Sequence, residues 1–171
     1  MANLVDLDHK WAILIGRVFI AFGSIERTTH ECLKKWLEEP VYPHVKHMKF
    51  SSRVDLLIDV TKKQKYSEEN TNEFVSNLKE AKELAKKRNL IAHNPLMLCL
   101  FQGEGDFVEA IASNLRDDLT MEFHELEDLM HKSEELASSL IDGTTKFRLE
   151  GWEGLPITSQ ASGTPQSGAP S

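Results

Sequence analysis

Residues 4–38 read LVDLDHKWAILIGRVFIAFGSIERTTHECLKKWLE, and their spacing decides the fold. Leu7, Trp11, Leu14, Val18, Phe22, Ile25, Cys32 and Trp36 recur at three- and four-residue steps, with Thr29 in the remaining slot. That period belongs to an amphipathic α-helix. Unbroken, the helix is roughly 50 Å long at 1.5 Å per residue, enough to span a bundle and extend to a partner. Gly16 and Gly23 stand one heptad apart on it. Each costs a helix about 1 kcal/mol against alanine, so they mark close approach of a neighbouring helix or a kink.

Working outward, Pro40 and Pro43 end this segment, and residues 40–49 read as a connecting loop. Ser51 or Ser52 is placed to cap a second helix with Val54, Leu57 and Ile58 as its apolar face. Ser67, followed by Glu68 and Glu69, opens a third, because acids suit the positive end of the helix dipole. Its stripe runs Phe74, Leu78, Ala81, Ala85 and then meets Arg88 and Ala92. Pro95 disfavours the α region at Asn94, so the helix should end near His93.

Residues 97–101 and 107–112 flank Gly103-Glu104-Gly105-Asp106 and read as a β-hairpin. Thr120, with Glu122 in the first turn, opens a last helix carrying Phe123, Leu126, Leu129, Met130, Leu136 and Leu140 and ending near Gly143. The expected fold is all-α, an up-down bundle of about four main helices with a small β-hairpin inserted after the third. Residues 1–150 form that one domain. Residues 151–171 are rich in Gly, Ser and Pro, cannot bury enough apolar surface, and are expected to be a disordered tail.

A chain of 171 residues, 40% hydrophobic, with two cysteines, fits one domain that needs no disulfide or metal staple. Cys32 and Cys99 both read as core residues, and so few cysteines suit a reducing, cytoplasmic setting. No basic segment precedes the first apolar run, so a secretory signal is not expected. That run, Trp11 to Phe22, contains Arg17 and is too short to span a bilayer, so no membrane partner is expected. The net charge of −7 disfavours a general nucleic-acid coat. It is unevenly spread: residues 1–95 hold 16 Lys/Arg and 13 Asp/Glu, whereas residues 96–171 hold 4 and 14. Lys34, Lys35, Lys46, Lys49, Lys62, Lys63 and Lys65 leave room for a local anion site, though such runs are usually solvated faces.

Arg88 breaks the pattern of the third helix. At 100° per residue it shares a stripe with Phe74, Ala81, Ala85 and Ala92, and a charge there needs a partner or a task. Glu26 lies in register with Ile15, Phe19 and Phe22 on the first helix and is the natural partner. Asn89 and His93, four apart, share a face at the edge of the stripe. Arg88, Asn89 and His93 are therefore candidates to converge on one groove. A guanidinium, an amide and an imidazole suit a phosphodiester: the arginine binds phosphate bidentately and the imidazole moves protons near neutral pH.

Arg88-Asn89-Leu90-Ile91-Ala92-His93 resembles the signature of HEPN domains, an arginine with a polar neighbour and a histidine four to six residues on. The match covers those six residues closely, and the rest of residues 4–143 only as a helical context in which the motif ends a long helix before a proline. The resemblance implies a metal-independent endoribonuclease without a cofactor, its two motifs meeting across a homodimer, in a toxin–antitoxin or phage-defence role with a protein inhibitor or antitoxin. It implies that His93 moves protons at the 2′-hydroxyl and the leaving 5′-oxygen. Arg88 neutralises charge at phosphorus and Asn89 orients the phosphate or His93; Glu26, from its register on the first helix and not from the resemblance, is the supporting residue. Some family members are inactive and bind proteins or nucleotides instead, and that is the alternative. The tyrosine found two residues past the histidine in one toxin subfamily is absent here, where Pro95 stands.

The structural alternative is an Arg88–Glu26 pair that only holds the fold, with His93 as a C-terminal helix cap. His44 and His47 lack a cysteine or carboxylate to complete a metal set and read as loop residues, and His124 and His131 as surface residues. No phosphate-binding glycine loop or serine nucleophile elbow is present.

Overall fold

A computed structural model describes residues 9–37, 40–100, 107–115 and 119–151, without the side chains of Leu100 and Phe107. The chain runs α1 (Lys10–Trp36), α2 (Val41–Val45), α3 (Phe50–Thr61), α4 (Glu68–His93), β1 (Leu96–Leu100), β2 (Phe107–Ala112), β3 (Thr120–Glu122) and α5 (Phe123–Glu150). Helix α1 packs on α5, α3 and α4, and α5 also packs on α4. The four long helices make the bundle expected from the sequence.

The α1 stripe is the core seam. Trp11, Leu14, Val18, Phe22, Ile25, Thr29 and Cys32 are all buried, and Trp36 packs at its edge. Leu7 lies outside the described residues. Helix α1 continues through both glycines, and a Cβ built at Gly16 or Gly23 meets nothing within 4 Å. Neither a break in the helix nor close approach occurs there within one chain. The glycines instead lie on an outer face.

Several boundaries differ from the sequence reading for identifiable reasons. Val41–Val45 forms a short helix inside the expected loop. Helix α3 starts at Phe50, with Lys49 at its N-cap and no side-chain cap, so neither Ser51 nor Ser52 caps it. The Phe50 ring sits edge-on to Phe22 at 6.3 Å, which anchors the start one residue ahead of the serines. Ser67 does cap α4, accepting from the Asn70 N–H at 3.3 Å. Asn94 is extended (φ −129°, ψ 148°) before Pro95, and α4 ends at His93.

The hairpin is present as β1–β2, antiparallel with Leu96 opposite Ile111. Its glycine turn lies outside the described residues. A third strand, β3, pairs with β2 where a helix start was expected. Met121 is buried between two half-buried neighbours, an alternation too short to register as a strand signal. The last helix is capped by Glu122, not Thr120, through a capping box with Glu125. It also runs past Gly143 to Glu150. Gly143 ends nothing: a Cβ there would stand 2.6 Å from Cδ2 of Phe74, so glycine lets α5 close on α4. Cys32 is buried as expected, which pushes its thiol up to about 12, whereas Cys99 is only half-buried.

The expected tail, 151–171, falls outside the described residues except for Gly151, so the proposed boundary is not addressed by the fold. No helix among the described residues is long and apolar enough to cross a membrane.

Candidate functional site

The two charged residues that interrupt apolar faces find each other. Arg88 of α4 donates from Nη2 to Oε1 of Glu26 on α1 at 2.8 Å. The second carboxylate oxygen faces Arg53 of α3, whose Nη2 lies 3.5 Å from Oε2. Arg53 also donates from Nε to Oγ1 of Thr29 at 3.0 Å and from Nη1 to the Met48 carbonyl at 3.1 Å. Thr29 Oγ1 in turn donates to the Glu26 carbonyl at 2.7 Å. One carboxylate thus bridges two guanidiniums and ties three helices together.

Exposure grades outward through this group: the side chain of Arg53 is 5% exposed, Arg88 19% and Glu26 38%. Burial lowers the pKa of Arg53 and Glu26 opposes that shift, so the residue stays charged with its donors spent on protein acceptors. Each guanidinium also lies over a ring, Arg88 5.1 Å from the centroid of Phe22 and Arg53 5.6 Å from that of Phe50. The rings reinforce the cations' positions. Arg88 Nε is buried and unpaired among the described residues.

These residues border an open groove of about 520 Å³ between α3 and α4, lined by Glu26, Arg53, Arg88, Asn89, Lys49 and Lys86 among others. Arg88 and Asn89 share it as expected. His93 does not line it. His93 shares a face with Asn89 but stands one turn beyond it, past the last α4 residue of the lining, and Glu26 and Phe22 draw Arg88 toward α1. Asn89 and His93 are both exposed and make no side-chain hydrogen bond or ion pair among the described residues. Ala92, expected in the stripe, is also exposed, because the last turn buries Leu90 and Ile91 instead.

Compared with protein-family models, curated proteins and solved structures, the chain matches none.

The sequence reading did not single out Arg53, the most buried charge in the group. Its signal was the same one that exposed Arg88: it stands four residues before Leu57 on the apolar face of α3. His30, one turn past Glu26, is a second omission. Its Nδ1 lies 3.2 Å from the Tyr42 hydroxyl, and burial followed by the field of Arg53 holds its pKa below the ordinary histidine value. Of the lysines noted in the first half, Lys49 lines the groove, joined by Lys82 and Lys86 from α4. No group of three metal-ligating side chains occurs among the described residues, and His44, His47, His124 and His131 are exposed.

Chemically, the group offers a fixed guanidinium beside an open, cation-lined space. Such a donor suits an oxyanion, since its position is set before the ligand arrives. An exposed imidazole lies at the same helix end, one turn beyond the lining.

Proposed function

We propose that the chain is a metal-independent endoribonuclease of HEPN type that acts as a homodimer, as its Arg88–His93 motif resembles. The observation that carries this is the Glu26–Arg88 pair at 2.8 Å beside an open groove, which presents a preset arginine to an anion. Arg88 neutralises charge at phosphorus, and Asn89 holds a phosphate oxygen. His93 transfers protons as the 2′-oxygen attacks phosphorus and the 5′-oxygen leaves. The products are a 2′,3′-cyclic phosphate and a 5′-hydroxyl.

Because His93 stands outside the groove lining, one protomer's histidine in this reading serves a groove completed by the other. An exposed apolar face on α1 supports this pairing. Ile13 (60% exposed), Gly16, Phe19 (39%), Ile20 (74%) and Gly23 fall in an arc of about 120°, with Glu26 at its edge. A role as toxin or phage-defence effector, cytoplasmic and restrained by a protein inhibitor, follows from the same resemblance.

The alternative is an inactive HEPN-like module. It is favoured by a separate observation: His93 stands outside the groove that Arg88 and Asn89 line. Incubating purified protein with RNA in EDTA separates the two. Cleavage by the wild type that disappears in His93→Ala supports the enzyme, whereas intact RNA with every protein supports the module.

A further inference from the structure

The small sheet ends in a strand edge that is uncovered among the described residues. Its order is β1-β2-β3, so β1 and β3 are its edges. Strand β3 has three residues and runs straight into α5. Strand β1 has five, Leu96-Met97-Leu98-Cys99-Leu100, and none is charged. Met97 is 41% exposed and Leu98 55%. Consecutive residues of a strand point to opposite faces, so β1 is open on both faces at its middle. Proteins usually guard such an edge with charge, proline or a bulge, because its unpaired backbone groups template another strand.

The ladder shows which groups are free. The Ala112 N–H donates to the Pro95 carbonyl at 3.3 Å, and the same register sets Met97 opposite Ala110 and Cys99 opposite Val108. Bonded and non-bonded pairs alternate along an antiparallel ladder, so Pro95, Met97 and Cys99 face β2. The N–H and C=O groups of Leu96, Leu98 and Leu100 point the other way, along the open edge. The far side of β2 agrees. There the Ser113 N–H donates to the Leu119 carbonyl at 2.9 Å, so Ser113 and Ile111 turn to β3, and Ala112 and Ala110 to β1.

This edge is complementary to itself. A twofold axis at Leu98 sets Leu98 against Leu98 of a second copy, and Leu96 and Leu100 against that copy's Leu100 and Leu96. All three pairs are then of the bonded kind, with about six hydrogen bonds between the strands. Charge favours the same occupant. A net charge of −7 opposes self-association, but β1 carries none. Glu109, directly opposite Leu98, is already held by Lys10 at 3.3 Å and by the Trp11 indole at 3.0 Å.

We propose that β1 pairs with β1 of a second copy, joining two sheets into one of order β3-β2-β1-β1-β2-β3. The contact lies apart from the groove and does not depend on the ribonuclease reading. Five residues a side bury far less than the roughly 1,600 Å² of a standard interface. The contact is therefore weak by itself, and where α1 faces are already paired it joins the pairs.

Sedimentation velocity of the full chain, reduced to keep Cys99 a thiol, tests this over a wide concentration series. The average mass should keep rising with concentration. Leu98→Pro removes only the outward N–H, which an edge strand tolerates, and should end the rise. Leu98→Lys should end it too, by setting like charges directly opposite each other. Both should keep the circular dichroism of the wild type, and Leu98→Lys carries the test if the proline variant does not. Exchange of the Leu98 amide should slow as the wild type is concentrated. A mass independent of concentration, or one that rises equally in the folded Leu98 variants, would overturn the pairing. A rise lost in Ile20→Lys but kept in those variants would overturn it in favour of the α1 face. Slow exchange at Leu98 in the most dilute sample would overturn it in favour of a cover supplied by the chain itself.

Discussion

Arg88 and Glu26, 62 positions apart in the chain, meet at 2.8 Å, and the carboxylate that receives Arg88 is steadied on its other oxygen by Arg53. Glu26→Gln removes the charge shared by both guanidiniums but keeps the shape. Arg53 is nearly sealed and loses the larger share. A loss of about 1–3 kcal/mol is expected, the range of a charge-assisted hydrogen bond, toward its lower end because Glu26 itself is 38% exposed. Urea denaturation of the two proteins checks it, and an unchanged midpoint refutes a structural role for the bridge.

Under the ribonuclease reading, His93→Ala should slow cleavage by about 10²–10⁴-fold, the usual worth of a proton-transfer group. Arg88→Ala should cost at least as much, since no lysine reproduces its bidentate geometry. Both rates are read with thermal melts alongside. His93→Ala should melt like the wild type, because that side chain is exposed and unpaired among the described residues.

The outer glycines of α1 discriminate between a lone protomer and a pair. With nothing within 4 Å of either position, Gly16→Ala and Gly23→Ala should each raise the stability of a monomer by about 1 kcal/mol through helix propensity. If a second copy rests its backbone on that face, the same methyl groups should weaken the dimer, and Ile20→Lys should abolish it. Light scattering over a dilution series reads the mass in each case. A monomeric wild type would remove the composite site.

Glu150 joins the two ends of α4 and α5. Its carboxylate accepts the Ser67 hydroxyl at 2.7 Å and the Ser67 N–H at 2.8 Å, with a further bond from the Asn70 amide. The Ser67 bonds come first in holding its pKa below the ordinary 4.5. A depressed carboxylate contributes stability above its unfolded value and loses it as pH falls through the folded one. Glu150→Gln should therefore lower Tm at pH 7, and the difference should close once the pH drops well below 4.5. A gap that persists in acid would contradict the assignment.

Gly143→Ala sets helix propensity against space. Alanine favours the helix by about 1 kcal/mol, but its Cβ would meet the Phe74 ring at 2.6 Å. That ring is buried and held edge-on by Phe147 at 5.1 Å and Trp36 at 6.3 Å. Overpacking of about 1–3 kcal/mol should prevail. A reduced Tm is the expected result, and an increase would mean that Phe74 yields freely.

What the sequence disclosed and what it concealed follow from the range of the forces involved. The α1 stripe and the Arg88 anomaly were legible because burial of one helix face leaves a period in the chain itself. The partnership with Glu26 was legible because both residues disturbed such a period. Arg53 disturbed one too, yet its full burial depends on Thr29 and Glu26 of α1, which only tertiary folding brings close. Gly143 read as a terminator because close approach to Phe74 and helix termination call for the same residue. The three residues of β3 are too few for any period, and their pairing with β2 is a property of the sheet. That His93 lies past the groove was not legible, because the packing of α3 on α4 sets where the lining ends, at Asn89.

Helix α1 also restricts how this chain can change length. Between Trp11, whose indole donates to Glu109 at 3.0 Å, and Glu26 there is no loop to absorb an inserted residue. One added residue turns everything beyond it by about 100° and carries Glu26 away from both arginines. Seven added residues nearly restore the rotation but slide Glu26 about 10 Å along the axis, out of reach of Arg88. No insertion or deletion in that span can be silent. Related chains that keep the carboxylate bridge must place their length differences elsewhere, in the connections around α2 and between the strands.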